Sequence, residues 1–381
     1  MSDKGTDKAE VQADLEDLKA QAKAADVADL KSGAWFAKLL RMAMETYARE
    51  VNAEFFLRKY PGLPADAIAD RRIELAQRYA MIEGGITASA YTAAIAATIG
   101  SGGGASPLTI PGALVTFTVD LMYVTRLQLR LAYDLAVLYG TPVDINDPED
   151  LYDLIRVAFG IKAGEALRGA LPRIAPEAAR QGVKAVIKGP VLAALQALPV
   201  VGRYLLQRNI VKFAVPLFGI PVSMKLNHYM TGRVGKQARE IYRDKAAIQE
   251  AVGRLQGRLD AEASLLLRVV WFVVNADQRV EAEEAWLLKS LIAHLADHDG
   301  TTRAIADFQA MVNLDEGALF RELDGLDPAT AAEIFGFACL VAIVDRNLAD
   351  AEAVAMQKLA AALHQEFDRS ALGKRAKHGV A

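Results

Sequence analysis

Residues 84–119 read GGITASAYTAAIAATIGSGGGASPLTIPGALVTFTV, and no charged residue occurs in these 36 consecutive positions. A helix that crosses a bilayer needs about 20 apolar residues, so the run is long enough. It is interrupted, however, by Gly, Ser, Thr and Pro, and a glycine-rich loop lies in its middle. The pattern therefore predicts two buried helices, roughly 84–99 and 109–139, split at the loop. A membrane-inserted hairpin is the alternative.

The loop at 100–112, GSGGGASPLTIPG, has the glycine spacing of a dinucleotide-binding fingerprint, and Asp120 follows at a suitable distance. That fingerprint requires a strand before the glycines and a helix after them, within a βαβ unit. Here an alanine-rich helical sequence precedes the glycines, and Pro107 and Pro111 disrupt the residues after them. No strand-like alternation occurs elsewhere in the chain, so we predict an all-α protein without a bound dinucleotide.

The length of 381 residues favours two domains plus tails. We predict a flexible or solvated N-terminal tail (1–30), a helical domain (31–248), an acidic helical domain (250–366) and a frayed basic C-terminal tail (367–381). Cys339 is the only cysteine, which excludes a disulfide within the chain. The N-terminus lacks the apolar segment of a signal peptide, so we expect a cytoplasmic protein.

A basic segment covers residues 180–239, which contain ten Lys and Arg residues and no Asp or Glu. The rest of the chain holds 34 basic residues (44 minus 10) against 47 acidic ones, so +10 here is offset by −13 elsewhere. The segment is also apolar, with aromatic residues between the charges. Its candidate lipid-binding residues are Arg180, Lys184, Lys188, Arg203, Arg208, Lys212, Lys225, Arg233, Lys236 and Arg239.

A surface that is both cationic and apolar suits an anionic membrane. Its charges attract acidic headgroups, and its apolar groups enter the acyl boundary. The alternative is a core domain whose cations pair with acids elsewhere in the chain. Prolines and aliphatic runs do not suit a helix docked in a nucleic-acid groove, so we expect no nucleic-acid partner.

Asp120 is a carboxylate within an apolar helical stretch, and Arg126 and Arg130 follow it. The spacing of Asp120 and Arg126 does not allow an easy pair within one helix. Asp120 therefore needs either a partner from another element or a neutral carboxyl group. We assign Asp120 and Arg130 as a polar site in an apolar helix. It is either a buried ion pair with an arginine of the basic segment or the site of a hydrolase or lipid-handling enzyme.

The C-terminal part contains an internal repeat, D-x-x-[V/L]-x-x-x-E. One copy runs from Asp277 to Glu284 and the other from Asp345 to Glu352, and each follows an apolar helical run. In each copy an Asp turns the chain, and acids occupy the first turn of the next helix, where they complement the helix dipole. The repeat predicts that the second domain is built from two related helical hairpins.

The repeat resembles the TerB-like fold, which is named for a tellurite-resistance protein. That family carries A-D-G-x-[V/I]-x-x-x-E in two copies, and the resemblance covers roughly 255–366. Gln278 and Arg346 stand where the family has glycine. In some relatives the acids bind a divalent cation, so the resemblance implies a Ca²⁺ or Mg²⁺ site. Helix capping is the alternative role. The implied ligands are Asp277, Glu284, Asp345 and Glu352.

Between residues 84 and 245 the chain has, in this order, the glycine-rich loop, Asp120, Leu127–Arg130, Leu198–Gly202 and Asn227. This series of elements resembles the EcsC family, whose name comes from a component encoded beside a bacterial ABC exporter. Around Gly202 and Gly219 the chain has large residues where relatives often have small ones. The resemblance implies a bacterial, envelope- or stress-associated protein at the inner membrane, with a membrane protein or ABC transporter as partner. The matching residues are the glycine-rich loop, Asp120, Leu127–Arg130, Tyr139, Gly140, Leu198–Gly202, Asn227, Arg233, Gly235, Ala238 and Arg239.

We therefore expect a non-enzymatic protein that docks peripherally on the inner membrane through its basic segment. No catalytic residue is assigned, because the chain lacks the G-x-S-x-G nucleophile elbow and the phosphate-binding P-loop pattern. The acidic domain would bind a partner or a cation. The alternative is a hydrolase or lipid-handling enzyme with its polar site around Asp120.

Overall fold

The protein is all-α, as predicted: the residues that the structure describes form helices and turns, with no strand among them. Two compact units divide the chain, and described residues up to Tyr242 belong to the first unit while those from Arg243 belong to the second. The computed structural model describes residues 4–22, 32, 35–100, 111–141, 143–160, 205, 219–255, 263–277, 283–284, 286–288, 290–291 and 315–378.

The first unit is organised around one central helix, α5. Its leucines at 121, 129 and 135 are fully buried, and α5 packs against α1, α2, α3, α4 and α6. The helices of this unit are α1 (Lys4–Ala22), α2 (Trp35–Glu50), α3 (Ala53–Lys59), α4 (Ala65–Gly100), α5 (Pro111–Leu138), α6 (Pro148–Phe159) and the first part of α7 (Gly219–Leu255).

The second unit has a core of its own, formed by the apolar helix α8 and the helices that pack against it. Val269 and Val270 of α8 are buried together with Ile334, Met356 and Leu359. The helices are the rest of α7, α8 (Ala263–Val274), α9 (Glu316–Asp324), α10 (Pro328–Val341), α11 (Asp350–Ala362) and α12 (Arg369–His378).

The charge-free run forms two helices, but the first of them begins earlier than predicted. Helix α4 continues from Ala65 to Gly100 without a break at Gly84, and α5 matches the predicted second helix. Gly84 does not form a turn but allows α4 to pack closely against α7. A Cβ atom there would lie 2.9 Å from Asn227 Nδ2 and 3.1 Å from the Ser223 carbonyl oxygen. The loop at 101–110 lies outside the described residues.

The described part of the charge-free run is partly buried: Gly84, Thr87 and Ala88 of α4 are buried, whereas Ser89, Ala90 and Ala93 are exposed. In α5, Phe117, Thr118 and Val119 are buried, and so is Asp120. In the described ranges, no helix is both long enough and apolar enough to cross a membrane.

Both predicted tails contain packed helices, which corrects the sequence-based expectation for residues 1–30 and 367–381. In α1, Val11, Leu15 and Leu18 are buried in the first core, because their spacing places them on one helical face. In α12, Leu372 and Ala376 are buried in the second core. The packing face of each terminal helix consists of only a few small or aliphatic residues. The overall composition of each terminal segment is therefore hydrophilic.

Candidate functional site

The described part of the basic segment presents a mixed cationic and apolar face on α7. Lys225, Arg233 and Lys236 are exposed, and so are Val222 (56 % exposed) and Tyr229 (61 % exposed). Their spacing places all five within roughly 80° of the helix circumference, at 100° per residue. We call these five residues the α7 stripe.

Arg239 belongs to the same predicted set but faces a different environment. It is half-buried and forms an ion pair with Asp70 of α4, so its charge is used within the first unit. This pair is of the kind expected if the basic residues had only a structural role. The other six predicted lipid-binding residues lie outside the described residues: Arg180, Lys184, Lys188, Arg203, Arg208 and Lys212.

Asp120 lies in a buried polar cluster between α4, α5 and α7. Its Oδ1 atom accepts hydrogen bonds from Thr87 Oγ1 at 3.4 Å and from Asn227 Nδ2 at 3.5 Å. We predicted an arginine of the basic segment as the partner of Asp120, whereas the partner from that segment in the described residues is the amide of Asn227. The amide group can donate without adding a charge to the apolar interior.

Glu83 is the functional candidate that the sequence analysis missed. Its side chain is fully buried, and its carboxylate oxygens accept hydrogen bonds from Thr87 Oγ1 at 3.0 Å and Asn227 Nδ2 at 2.8 Å. Glu83 and Asp120 therefore share two donors. A signal for this pairing exists in the sequence, because Glu83 and Asp120 are the two charged residues that border the charge-free run.

Arg130 does not belong to the Asp120 cluster, so the predicted polar site is in fact two sites. Ten residues of helix separate the two side chains along α5, a rise of about 15 Å. The guanidinium of Arg130 lies 4.7 Å from the centre of the Tyr47 ring, and its Nε donates to the Ala43 carbonyl at 3.3 Å. Its neighbours therefore come from α2.

A buried ion pair lies beside Arg130, and no sequence pattern pointed to it. Arg72 Nε donates to Asp134 Oδ2 at 2.7 Å, and Tyr47 Oη donates to Asp134 Oδ1 at 2.7 Å. Burial disfavours the charged guanidinium, but the attraction of Asp134 outweighs this effect and raises the pKa of Arg72 above its usual range. Together with Arg130, these side chains line a cavity of about 200 Å³.

The other three acids of the repeat each influence the pKa of Glu352 in the second unit. Burial raises the pKa of Glu352 to about 7. The negative charges of Asp345 and Asp277 add to this shift, whereas the Ala349 N–H and a hydrogen bond with Glu284 oppose it. The prediction that both copies of the repeat meet in space agrees with this electrostatic coupling.

Two of the acids form the local hydrogen bonds of turns and helix starts. Glu352 Oε2 accepts the N–H of Ala349 at 2.6 Å, and Asp345 Oδ1 accepts the N–H of Asn347 at 2.9 Å. These are the capping interactions that we gave above as the alternative to a cation site. Within the part of the chain that the structure describes, no group of three or more His, Cys, Asp or Glu residues could hold a metal ion.

Arg346 occupies a position where the backbone itself favours glycine. Its φ of +65° is left-handed, a conformation that glycine adopts more readily than other residues. The side chain adds an interaction that glycine would lack, because its Nε and Nη2 atoms donate to Asp244 Oδ2 at 2.8 and 2.7 Å. The ion pair thus compensates for the cost of a non-glycine residue at this φ.

Comparisons with known proteins do not assign this chain to a family. No family model matches it, and neither a curated protein nor a solved structure does.

Proposed function

We propose that the protein is non-enzymatic and docks peripherally on anionic membrane lipid through the α7 stripe. The observation that carries the proposal is the exposure of two large apolar side chains, Val222 and Tyr229, among three exposed cations on one helical face. Scattered apolar residues are common on protein surfaces. Here two large apolar side chains share one helical face with three cations, and such a face is what an anionic bilayer surface complements.

The expected energies are sufficient for reversible docking. Each Lys or Arg near an anionic surface contributes about 1 kcal/mol, so Lys225, Arg233 and Lys236 together contribute about 3 kcal/mol. Val222 and the ring of Tyr229 add burial in the boundary between headgroups and acyl chains. The preceding stretch, residues 180–218, has the same basic and apolar composition.

The test of this proposal is co-sedimentation with phosphatidylglycerol vesicles. The triple variant Lys225→Gln, Arg233→Gln, Lys236→Gln is expected to bind about 100-fold more weakly, which corresponds to about 3 kcal/mol. The matched control, Lys38→Gln, Arg41→Gln, Arg71→Gln, removes three exposed cations from α2 and α4 and should bind as the parent does. Equal weakening of both variants would show that only net charge matters and would refute docking through α7.

A second pair of variants tests the apolar residues of the α7 stripe. Tyr229→Ser removes an exposed ring from the stripe, whereas Leu57→Ser removes an equally exposed side chain from α3 (Leu57 is 68 % exposed). Only the Tyr229 variant is expected to lose vesicle affinity, and the loss should persist at high salt because it comes from apolar burial.

The second unit is proposed as the binding module for a partner. The resemblance to EcsC and TerB-like proteins supports a cytoplasmic bacterial protein at the inner membrane, with a membrane protein or ABC transporter as that partner. It also supports a Ca²⁺ or Mg²⁺ site at Asp277, Glu284, Asp345 and Glu352. Titration of the full chain with each cation tests this site, because a bound ion raises the melting temperature of the folded state. An unchanged melting temperature at millimolar cation would exclude it.

A hydrolase or lipid-handling enzyme is the second candidate function, and the Glu83–Asp120 pair is the observation that favours it. Two carboxyl groups in a shared, water-excluding environment are a recurring arrangement for acid–base catalysis. Asp120→Asn tests the candidate: an enzyme would lose turnover of a lipid ester while its melting temperature stays the same. A change in melting temperature without loss of any turnover would mean that the Glu83–Asp120 pair has only a structural role.

A further inference from the structure

The cavity beside Arg130 lies within the first unit and is distinct from the α7 stripe. Its volume of about 200 Å³ is bounded by side chains of α1 to α5. Ligand pockets for drug-sized molecules usually measure about 300–1,000 Å³, so this cavity suits a smaller group. Four cationic side chains line it: Lys59, Arg72, Arg126 and Arg130.

Two of the four cations have carboxylate partners in the cavity wall. Arg72 binds Asp134, and Arg126 Nη2 lies 2.8 Å from Asp14 Oδ2 of α1. Glu10, the third acid of the cavity wall, accepts a hydrogen bond from the Tyr79 hydroxyl group. The hydrogen bonds and ion pairs of these acids therefore go to groups other than Arg130 and Lys59, although Asp14 and Asp134 also attract the charge of Arg130.

The cavity wall carries four cations against three acids, so its surplus is one positive charge, and Arg130 and Lys59 are the two cations outside its ion pairs. Across the described residues, neither of them has a carboxylate within salt-bridge distance. The Nε of Arg130 is used by the Ala43 carbonyl, and its two amino groups have no protein acceptor in that same part of the chain. Burial lowers the pKa of Arg130, and the nearby charge of Arg126 lowers it further, whereas Tyr47, Asp14 and Asp134 oppose the shift only in part.

We propose that this cavity binds the phosphate group of a phosphate ester, with Arg130 and Lys59 as its principal contacts. A guanidinium with two free amino groups can bind two phosphate oxygens at once, and a lysine adds a point charge to the same anion. The guanidinium of Arg130 lies over the Tyr47 ring, 4.7 Å from its centre, and its Nε is bound to the Ala43 carbonyl, so both contacts restrict the side chain before the ligand arrives. The phosphate comes either from a small metabolite or from the headgroup of a phospholipid.

Helix α1 controls how strongly the phosphate binds. Glu10 and Asp14 place two carboxylates in the wall of the cavity, and both repel an incoming anion. Neutralising Asp14 removes one of these charges and releases Arg126 to contact the ligand. The site therefore predicts opposite effects for two substitutions: Arg130→Gln weakens binding and Asp14→Asn strengthens it.

The experiment is calorimetric titration of the full chain with inorganic phosphate and with glycerol 1-phosphate, alongside sedimentation with phosphatidylglycerol vesicles. Arg130→Gln is expected to weaken binding at least about tenfold and Lys59→Gln severalfold, whereas Asp14→Asn should tighten it. Lys59 is exposed at the end of α3, so its variant tests the site even if Arg130→Gln unfolds. Arg71→Gln, an exposed neighbour of Arg72, is the matched control and should leave the affinity unchanged.

The two kinds of probe distinguish the sources of phosphate. Loss of soluble-phosphate binding in Arg130→Gln identifies a metabolite site, and loss of vesicle binding alone identifies a lipid headgroup. Equal affinity of the parent, Arg130→Gln and Lys59→Gln for all three probes would overturn the proposal. Docking through α7 is tested separately, because its triple variant leaves the cavity intact.

Discussion

Glu83 and Asp120, the two charged residues that border the charge-free run, meet in the interior of the first unit. Both side chains are fully buried, and both accept hydrogen bonds from Thr87 Oγ1 and Asn227 Nδ2. The cluster therefore ties α4, α5 and α7 together. Helix α7 also carries the α7 stripe. The buried cluster therefore holds in place the helix that we propose to dock on lipid.

Asn227→Leu should destabilise the first unit, although leucine is similar in size and more apolar. The substitution removes an amide donor from two buried carboxyl groups, and a buried polar group that loses its partner costs about 1–3 kcal/mol or more if charged. Thermal unfolding followed by circular dichroism measures the effect. A melting temperature equal to that of the parent would contradict a stabilising role for Asn227.

Gly84→Ala is expected to destabilise the protein, although alanine is the better helix former. The new methyl group would lie 2.9 Å from Asn227 Nδ2 and 3.1 Å from a backbone oxygen, so α4 and α7 must shift apart. Overpacking of this kind typically costs about 1–3 kcal/mol. Urea unfolding of the variant and the parent measures this cost.

Gly336→Ala is the matched control for this prediction. Gly336 lies inside α10, and a Cβ atom there would meet no other atom within 4 Å. The substitution should therefore raise the free energy of unfolding by up to about 1 kcal/mol. If both alanine variants were stabilising, the close approach of α4 and α7 at Gly84 would be wrong.

Glu352 makes stability depend on pH, because its pKa is about 7 in the folded protein against an ordinary value of 4.5. Between these pH values the folded chain holds a proton that the unfolded chain has released. The free energy of unfolding should therefore fall as pH rises from about 4.5 to 7, by up to about 3 kcal/mol, and then stay lower.

Glu352→Gln should remove this contribution, since glutamine is neutral and can still accept the Ala349 N–H. The variant is expected to match the parent near pH 4 and to exceed its stability at pH 8. Urea unfolding at a series of pH values measures the difference. Parallel curves for parent and variant would mean that Glu352 does not titrate in this range.

The fold class could be predicted from local pattern alone, whereas the polar clusters could not. Helix α5 follows from apolar spacing within one stretch of the sequence. The partners of Asp120 come from residues 33 positions before it (Thr87) and 107 positions after it (Asn227), and such pairings depend on how helices pack.

The N-terminal segment shows the same limit. Its charges indicate a solvated tail, yet Val11, Leu15 and Leu18 are enough to pack α1 against α5, and Asp14 binds Arg126. A hydrophilic composition does not reveal an acid whose counter-ion lies on another helix. For the same reason the cavity beside Arg130 could not be predicted, since its walls come from five helices.

Flotation of the unmodified chain with lipid vesicles tests the central claim most directly. We predict that the protein floats with phosphatidylglycerol vesicles at low salt, floats less as salt screens its cations, and stays at the bottom with phosphatidylcholine vesicles. Failure to float with acidic vesicles at low salt would contradict docking on anionic lipid. Equal flotation with both lipids would contradict the part assigned to Lys225, Arg233 and Lys236.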